Sequence, residues 1–464
     1  MRLLGVLLLT LLACSGAEQV AECDLSAPNP TPCKNPMVLV PGLGASVLDV
    51  LYEDSYEALH KICEPGERNQ WSSGIDRIWP SMADSFPDQV PGLREVKECR
   101  IRDLALSYDP ETGLFSNAPG VQIKPRGWGC VNGISNLFRV KLGGRVLVHP
   151  TMSSVYERLI EYMTENLDYV VGQNLFGVPY DFRLVADQSY LDSYFADLKA
   201  LIEQAYEKTA SCESGPKRVF VASHSLGGPV LLYFLNTHVD AAWKQKYVRA
   251  FLAISSPWTG SPKAYRTLLS GDAEGMPGDN LQFLAAEGLM GGLLWMAPFR
   301  EFHADKKFVA VAGQEYGLTE EDFKAVFADI AKRPDQAHLL NQVIAPRGKT
   351  VGDPGVLVAC MYGTGLPTEA HFTYAGGSFD GDPVIDRHET GDGTVTLDVL
   401  EHCKEWEQVV SQEYEGGEHL NILHRDDFLE YATMLVTDCW SEPPADPPNP
   451  KCPEVSTSAT PSGG

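Results

Sequence analysis

Short apolar runs, separated by turn signals and helical patterns, recur along the chain. The first run is Met37–Val40, which ends at a turn containing Pro41 and Gly42. Further runs occupy residues 218–222, 250–254, 356–361 and 408–410, and helical periodicity marks residues 191–206 and 229–237. Fully apolar runs are typical of strands buried on both faces, and their alternation with helices indicates a parallel sheet. We therefore predict an α/β fold.

Two segments interrupt this alternation. Residues 51–100 are rich in proline, glycine and aromatic residues, and Cys63 and Cys99 bracket most of them, so we predict an excursion closed by a disulfide. Residues 271–299 are apolar and rich in glycine and methionine. They fit either a core helix or a mobile lid over an apolar pocket, because repeated glycines weaken a regular helix. The lid interpretation assigns residues 271–350 to a lid or cap region.

We expect the main domain to occupy residues 23–438, with different segments at either end. Residues 1–18 contain a basic residue, an apolar run and then small residues, as in a secretory signal peptide. Cys14 lies at the end of that run, and lipidation of its thiol stays open as an alternative. Residues 441–464 are rich in proline, serine and threonine, which predicts a disordered tail.

Charge and cysteine content limit the partners and the compartment. Among 464 residues, 37 Lys and Arg stand against 62 Asp and Glu, and the net charge of −25 repels nucleic-acid phosphates. We therefore expect no nucleic-acid partner. Loss of Cys14 with the signal peptide leaves an even number of the 11 cysteines, which indicates disulfides in a secreted or lumenal protein, lysosome and vacuole included. The sequence contains no CxxC or CxxH spacing, so the cysteines do not indicate a metal site.

A candidate nucleophile lies between a predicted strand and a predicted helix. Ser225 follows the run at 218–222, and small residues, Ser223 and Gly227, stand two positions before and after it. This pattern fits the sharp strand-turn-helix that exposes a nucleophilic serine in α/β-hydrolases, although glycine is usual at position 223. A purely structural turn is the alternative.

An acid and a histidine follow this serine in the chain order of α/β-hydrolases. Asp392 lies between two glycines, and we expect it in a turn beyond the strand at 356–361. His419 follows the last apolar run, and His424 is its nearest rival. We predict that Ser225 is the nucleophile, His419 the general base and Asp392 the acid that orients it.

An acyl-transfer site also needs backbone N–H groups that stabilise the oxyanion. We expect one from Leu226, directly after the nucleophile, and one from Leu43, in the loop after the first strand. Gly42 and Gly44 flank Leu43 and suit a backbone that approaches substrate closely, although an ordinary tight turn would also use them.

Taken together, several stretches resemble the lecithin:cholesterol acyltransferase family, which includes lysosomal phospholipase A and the phospholipid:diacylglycerol acyltransferases. They span residues 38–423. The stretches are VLVPGLGAS from Val38, PYDFR from Pro179, HSLGG from His224, LLYFL from Leu231, SSPWTGS from Ser255, CMYGTGLPT from Cys360, GDGTV from Gly391 and EHLNIL from Glu418.

The resemblance implies an α/β-hydrolase fold and the same roles for Ser225, Asp392 and His419. It implies that an acyl group leaves a glycerophospholipid through an acyl-enzyme and passes to a sterol-type lipid alcohol or to water. The expected partner is the surface of a phospholipid membrane, a vesicle or a lipoprotein. No cofactor and no metal are implied.

The resemblance also implies structural features around the site. It implies the disulfides Cys63–Cys99 and Cys360–Cys403, and the first of these closes a lipid-docking subdomain at residues 51–100. Within that subdomain, Trp79 resembles the membrane-contacting tryptophan of the family. The segment 271–299 falls where the family has its lid.

The chain departs from the family pattern at Ser223, in a loop after the first strand that is one residue shorter than in the lipoprotein-associated member, and in its lack of N-glycosylation acceptors. Two other functions stay open. One is a non-catalytic lipid-binding protein that retains the fold, because a fold does not by itself establish activity. The other is an esterase for small soluble esters.

Overall fold

The computed structural model describes residues 23–26, 33–65, 76–80, 92–135, 140–142, 145–147, 155–272, 280–441 and 449–455. The predicted signal peptide at residues 1–18, including Cys14, lies outside these ranges, as does most of the tail at 441–464.

Regular elements follow one another along the described chain. The strands are β1 (Met37–Val40), β2 (Leu48–Tyr52), β3 (Asp76–Trp79), β4 (Leu106–Asp109), β5 (Leu114–Asn117), β6 (Val121–Pro125), β7 (Val140–Leu142), β8 (Arg145–Leu147), β9 (Leu175–Gly177), β10 (Val219–His224), β11 (Val248–Ile254), β12 (Val309–Val311), β13 (Gln314–Tyr316), β14 (Val358–Thr364), β15 (Leu366–Tyr374), β16 (Val384–Gly391) and β17 (Val409–Glu415). The α-helices are α1 (Leu93–Leu104), α2 (Glu157–Asn166), α3 (Gln188–Glu207), α4 (Gly227–Thr237), α5 (Ala241–Tyr247), α6 (Pro262–Ser270), α7 (Asn280–Glu287), α8 (Gly291–Met296), α9 (Arg300–His303), α10 (Glu320–Phe323), α11 (Pro334–His338), α12 (Leu397–Leu400) and α13 (Asp426–Met434). Turns of 3-10 or π helix occupy Lys61–Cys63, Lys324–Ile330, Leu339–Ile344, Ala345–Thr350, Glu401–Glu405, Asn421–His424 and Leu435–Cys439.

A six-stranded sheet in the order β17-β14-β11-β10-β1-β9 forms the centre of the fold, and every neighbouring pair is parallel. Each strand except β9 overlaps a predicted apolar run. The pattern does not predict β9 because its 3 residues are too few to show a period. The prediction of an α/β fold is confirmed, and this open parallel sheet is that of an α/β-hydrolase.

Alternate side chains of the central strands enter two different cores. In β1, Val38 and Val40 belong to the core that includes residues of α3 and α4, whereas Met37 and Leu39 belong to the core that includes residues of α2 and α13. Because successive side chains of a strand point to opposite faces, an apolar run without polar interruptions is needed to cover both. The sheet is thereby held between two layers of helices.

Among the described residues, four smaller sheets lie outside the central one, two of which are the two-stranded sheets β4-β5 and β7-β8. The excursion at 51–100 contains β3 and most of helix α1 and is closed by Cys63–Cys99, and β3 pairs with β2, which pairs in turn with β6 beyond the excursion. Of the sheet β13-β12-β15-β16, strands β12 and β13 lie in the cap region 271–350 and β15 and β16 follow it in the chain. The described part of residues 271–299 forms the short helices α7 and α8. Every side chain of α8 is buried. Movement of this segment as a lid stays a prediction.

Five disulfides join the ten cysteines that follow Cys14, so the prediction of disulfides from their even number is confirmed. They are Cys23–Cys130, Cys33–Cys212, Cys63–Cys99, Cys360–Cys403 and Cys439–Cys452. The last one attaches part of the predicted disordered tail to the domain, and Val455 there packs against the core. Among the described residues, no helix has the length and hydropathy needed to cross a membrane.

Candidate active site

Ser225 lies at a sharp turn between β10 and α4. Its φ is +53°, in the left-handed region, and its N–H donates to the carbonyl of Ile254 at 3.0 Å, which ties the turn to the end of β11. Gly227 leaves the helix room, since a Cβ there would lie 2.5 Å from the carbonyl oxygen of Val40. Ser223 is a buried residue of strand β10 and has no positive φ, so its backbone does not require glycine.

The structure brings the three predicted catalytic residues together. Nε2 of His419 lies 2.9 Å from Oγ of Ser225, and Nδ1 of His419 lies 2.7 Å from Oδ2 of Asp392. Oδ1 of Asp392 accepts the backbone N–H groups of Thr394 and Val395, at 3.0 and 2.8 Å. The carboxylate is thus held in one orientation by two backbone donors, and it in turn orients the imidazole.

Asp392 lies beyond the strand at 356–361, but an inserted hairpin separates the two along the chain. The antiparallel hairpin β15–β16 lies between β14 and the acid. The end of the hairpin lies beside its beginning, because Asp392 forms a β-bridge with Leu366, the first residue of β15. This bridge places the acid beside the end of β14, and no apolar run in the sequence predicts the hairpin.

The charges around His419 suit a general base. Burial opposes the charged imidazolium, but the negative charge of Asp392 and its hydrogen bond outweigh burial and raise the pKa of His419 above its ordinary value. A raised pKa means that the imidazolium formed on accepting a proton is stabilised. Of the two candidate histidines, His419 is the one hydrogen-bonded to Ser225.

The two predicted oxyanion donors lie on neighbouring backbone segments. A Cβ added to Gly292 of α8 would lie 2.6 Å from Cδ1 of Leu43 and 2.8 Å from Cδ2 of Leu226, so both side chains pack on the same glycine. The loop before Leu43 also contacts the nucleophile, since a Cβ on Gly42 would lie 2.9 Å from Cβ of Ser225. Donation to an oxyanion by Leu43 and Leu226 stays a prediction.

Trp79 is half-buried and contacts the predicted oxyanion loop. Its indole N–H donates to the carbonyl of Gly44 at 2.7 Å, and its ring meets that of Phe182 edge-on with 5.8 Å between centroids. Trp79 and Phe182 line a largely apolar cavity together with Phe283 and Met290 from the segment 271–299. Contact of Trp79 with a membrane stays a prediction.

An ion pair inside PYDFR, to which the sequence pattern gives no role, joins three parts of the structure. Arg183 and Asp181 are fully buried, and Nη2 of Arg183 lies 2.6 Å from Oδ2 of Asp181. Nη1 of Arg183 donates to the carbonyl of Leu104, the last residue of α1, at 3.0 Å, and the backbone carbonyl of Arg183 accepts the N–H of Gly291 in α8 at 2.6 Å. In the sequence, the signal for this ion pair is the presence of two opposite charges, Asp181 and Arg183, among apolar residues.

Known proteins match most of the length of the chain. The family model for lecithin:cholesterol acyltransferase matches residues 76–345, more than half of the chain. The chain is 30% identical to Lysosomal phospholipase A and acyltransferase of Bos taurus, over 88% of this chain and 93% of that protein. It is also 30% identical to Lecithin-cholesterol acyltransferase-like 1 of Arabidopsis thaliana, over 84% of this chain and 86% of that protein.

Phosphatidylcholine-sterol acyltransferase of Homo sapiens is 29% identical, over 90% of this chain and 89% of the relative. Among solved structures, a chain in the crystal structure of the Tle4–Tli4 complex aligns with 86% of this chain and 97% of its own length, at 12% identity and a TM-score of 0.41. Since the family model and these relatives match along most of its length, the chain belongs to the lecithin:cholesterol acyltransferase family.

Proposed function

We propose that the protein is a serine-dependent enzyme that cleaves an acyl ester of a glycerophospholipid and passes the acyl group to a lipid alcohol or to water. The observation that carries this proposal is the continuous hydrogen-bonded chain from Ser225 through His419 to Asp392. A serine hydroxyl becomes an effective nucleophile when a neighbouring base removes its proton. The chain of bonds supplies both the base and the group that orients it.

In the first half of the reaction, Oγ of Ser225 attacks the ester carbonyl while Nε2 of His419 takes its proton. The negative charge then lies on the former carbonyl oxygen, where the N–H groups of Leu43 and Leu226 stabilise it. As the tetrahedral intermediate collapses, His419 gives the proton to the departing alcohol oxygen, and a lysophospholipid leaves. The acyl group stays on Ser225.

In the second half, an acceptor hydroxyl attacks the acyl-enzyme, and His419 takes the proton of that hydroxyl. Collapse of the second intermediate releases the new ester or the free acid and restores the Ser225 hydroxyl. A lipid alcohol as acceptor gives acyl transfer, and water gives hydrolysis. This chemistry requires neither a metal nor a redox cofactor, because the base, the oxyanion donors and the nucleophile are all groups of the chain.

The phospholipid donor and the sterol-type acceptor come from the relatives. One relative is named for phosphatidylcholine and a sterol, and another for phospholipase A and acyltransferase activity. The donor is common to both names, whereas the acceptor differs.

The compartment is proposed to be extracellular or lumenal. Five disulfides are stable in an oxidising environment, and the name of one relative places it in the lysosome. Expression in cells with detection in medium, in lysosomes and in cytosol tests this. Recovery from the cytosol alone would contradict it.

The test of the activity uses phosphatidylcholine vesicles with and without cholesterol. Free fatty acid alone identifies hydrolysis, sterol ester identifies transfer, and an acid-quenched digest analysed by mass spectrometry should carry the acyl group on the Ser225 peptide. Ser225→Ala should abolish every product. Ser223→Ala is the matched control, because it removes another buried serine two residues away and should leave turnover within about twofold.

The alternatives give different results. A non-catalytic lipid-binding protein would bind the vesicles and release no product. An esterase for small soluble esters would turn over p-nitrophenyl butyrate as well below its solubility limit as above it and show no preference for vesicles. Turnover that persists in Ser225→Ala would overturn the assignment of the nucleophile.

A further inference from the structure

His224, the residue before the nucleophile, contacts the backbone of the general base His419 although it is not a member of the catalytic triad. Its Nε2 lies 2.8 Å from the backbone carbonyl oxygen of His419, and the two imidazole rings lie 5.0 Å apart between centroids. His224 is the last residue of β10 and is buried. It therefore joins the strand that precedes Ser225 to the loop that holds His419.

This contact completes the fixation of the His419 backbone. The N–H of His419 donates to the carbonyl of Asp392 at 3.0 Å, and its carbonyl accepts from His224. Both peptide groups that flank the base are thus bonded, one to the acid and one to the neighbour of the nucleophile. The loop itself begins at Gly416, whose φ of +65° lies in the left-handed region that favours glycine.

We propose that His224 is a positioning residue whose bond to the carbonyl of His419 holds the base within reach of Ser225. The inference rests on the proposed function, since it assumes that His419 is the base. A carbonyl oxygen can only accept, so the hydrogen of neutral His224 lies on Nε2. Displacement of a reacting group by about 1 Å can cost about 100-fold in rate, which is why a bond to the backbone of the base matters.

The surroundings of His224 keep its ring in place and uncharged. A Cβ on Gly42 would lie 3.3 Å from Nδ1 of His224, and the ring of Tyr156 meets it edge-on with 6.4 Å between centroids. Burial and the nearby charge of His419 lower the pKa of His224 to about 3. His224 therefore stays neutral when His419 takes the proton of Ser225, and no second charge opposes the imidazolium.

The test compares His224→Met, which removes the donor, with His224→Gln, whose side-chain amide N–H can replace it. On phosphatidylcholine vesicles, kcat of His224→Met should fall by about 10-fold to 100-fold with KM within about twofold, and His224→Gln should recover much of the loss. The rate at which a fluorophosphonate labels Ser225 should follow kcat, because both need the base. Rates are expressed per folded molecule, measured by near-UV circular dichroism.

A pH profile separates positioning from general destabilisation. Loosening His419 weakens the contact with Asp392 that raises its pKa, so the acid limb of kcat in His224→Met should move to lower pH. If His224→Met fails to fold, His224→Asn replaces it, since its shorter amide does not reach the same carbonyl, and the same loss and shift are expected.

His303 provides the matched control. It is also buried, and its Nε2 lies 3.2 Å from the carbonyl oxygen of Thr259, so His303→Met removes the same kind of bond elsewhere. Its kcat and pH profile should match those of the wild type. Unchanged kcat and labelling in His224→Met, while Ser225→Ala is inactive, would overturn the positioning role alone. Activity in Ser225→Ala would instead overturn the proposed function.

Discussion

Gly42 and Ser225 approach so closely that a methyl group on Gly42 would lie 2.9 Å from Cβ of Ser225. Gly42 is the residue before Leu43, so this contact sets the distance between the nucleophile and the predicted oxyanion loop. Real Cβ atoms do not pack at that separation, and any side chain at position 42 must push the two segments apart.

Gly42→Ala should therefore lower kcat. Loss of one oxyanion donor costs about 100-fold to 1,000-fold in kcat, and displacement of the Leu43 N–H should approach that range. Kinetics on phosphatidylcholine vesicles measure it. Gly352→Ala is the control, because a Cβ there meets no atom within 4 Å and its kcat should be unchanged. Full activity in Gly42→Ala would show that the loop does not contribute to the reaction.

The pKa of His419 predicts how activity depends on pH. The base must be neutral to accept a proton, and Asp392 raises its pKa above the ordinary value of 6.5, so the acid limb of kcat/KM should have its midpoint above pH 6.5. Asp392→Asn should move the midpoint down and reduce kcat by about 10,000-fold. A pH profile recorded with a soluble ester checks this, because the result then does not depend on how pH changes the vesicle surface. An unchanged midpoint in Asp392→Asn would contradict the assigned pair.

His303 predicts an acid-sensitive contribution to stability. Burial lowers its folded-state pKa to about 4, below the ordinary 6.5, so the unfolded chain binds a proton that the folded chain does not. The contribution is complete above about pH 6.5 and is lost as pH falls toward about 4, at up to about 1.4 kcal/mol per pH unit. His303→Gln keeps a donor but does not titrate. Urea unfolding at several pH values should show the wild type losing its advantage over this variant on acidification.

Trp79→Phe distinguishes two roles for this residue. The substitution keeps an aromatic ring but removes the N–H that donates to Gly44 at 2.7 Å. If the indole supports the oxyanion loop, kcat should fall by about 5-fold to 30-fold on a soluble ester as well as on vesicles, which corresponds to about 1 to 2 kcal/mol for one lost hydrogen bond. If it contacts lipid, only vesicle binding should weaken. Flotation of vesicles with bound protein measures the second quantity.

Arg183→Met should strongly destabilise the fold. The substitution leaves the carboxylate of Asp181 buried without its partner, and breaking such a pair typically costs about 3 to 5 kcal/mol in the free energy of unfolding. Urea denaturation gives this value. The exposed pair of Arg158 and Asp426 is the matched control, because Arg158→Met should cost less than about 1 kcal/mol. Equal effects in the two variants would contradict the importance of burial.

The sequence predicts those parts of the fold whose residues carry a local pattern. Five strands of the central sheet and the turn at Ser225 can be read from apolar runs and small residues. The short strand β9 and the alternating hairpin β15–β16 cannot, because the first has too few residues and the second combines buried with exposed positions at its bulges. The place of Asp392 in the chain order, between Ser225 and His419, could be predicted, but the hairpin that precedes it could not.

Contacts between distant residues are beyond sequence reasoning of this kind. His224 looks like an ordinary neighbour of the nucleophile, and only the fold shows its ring beside the carbonyl of His419. Likewise, the direction of Trp79 depends on how β3 pairs with β2, which brings Trp79 opposite Leu48. Local patterns contain no information about such pairings, since they depend on tertiary packing.

The β-bridge between Leu366 and Asp392 closes the hairpin β15–β16 at the point where it leaves the central sheet. A segment that departs and re-enters at one place can be lengthened, shortened or exchanged during evolution while the carboxylate keeps its position. The same segment pairs with β12 of the cap. Homologues could thus diversify the surface above the reaction centre through this insertion without rebuilding the chemistry beneath it.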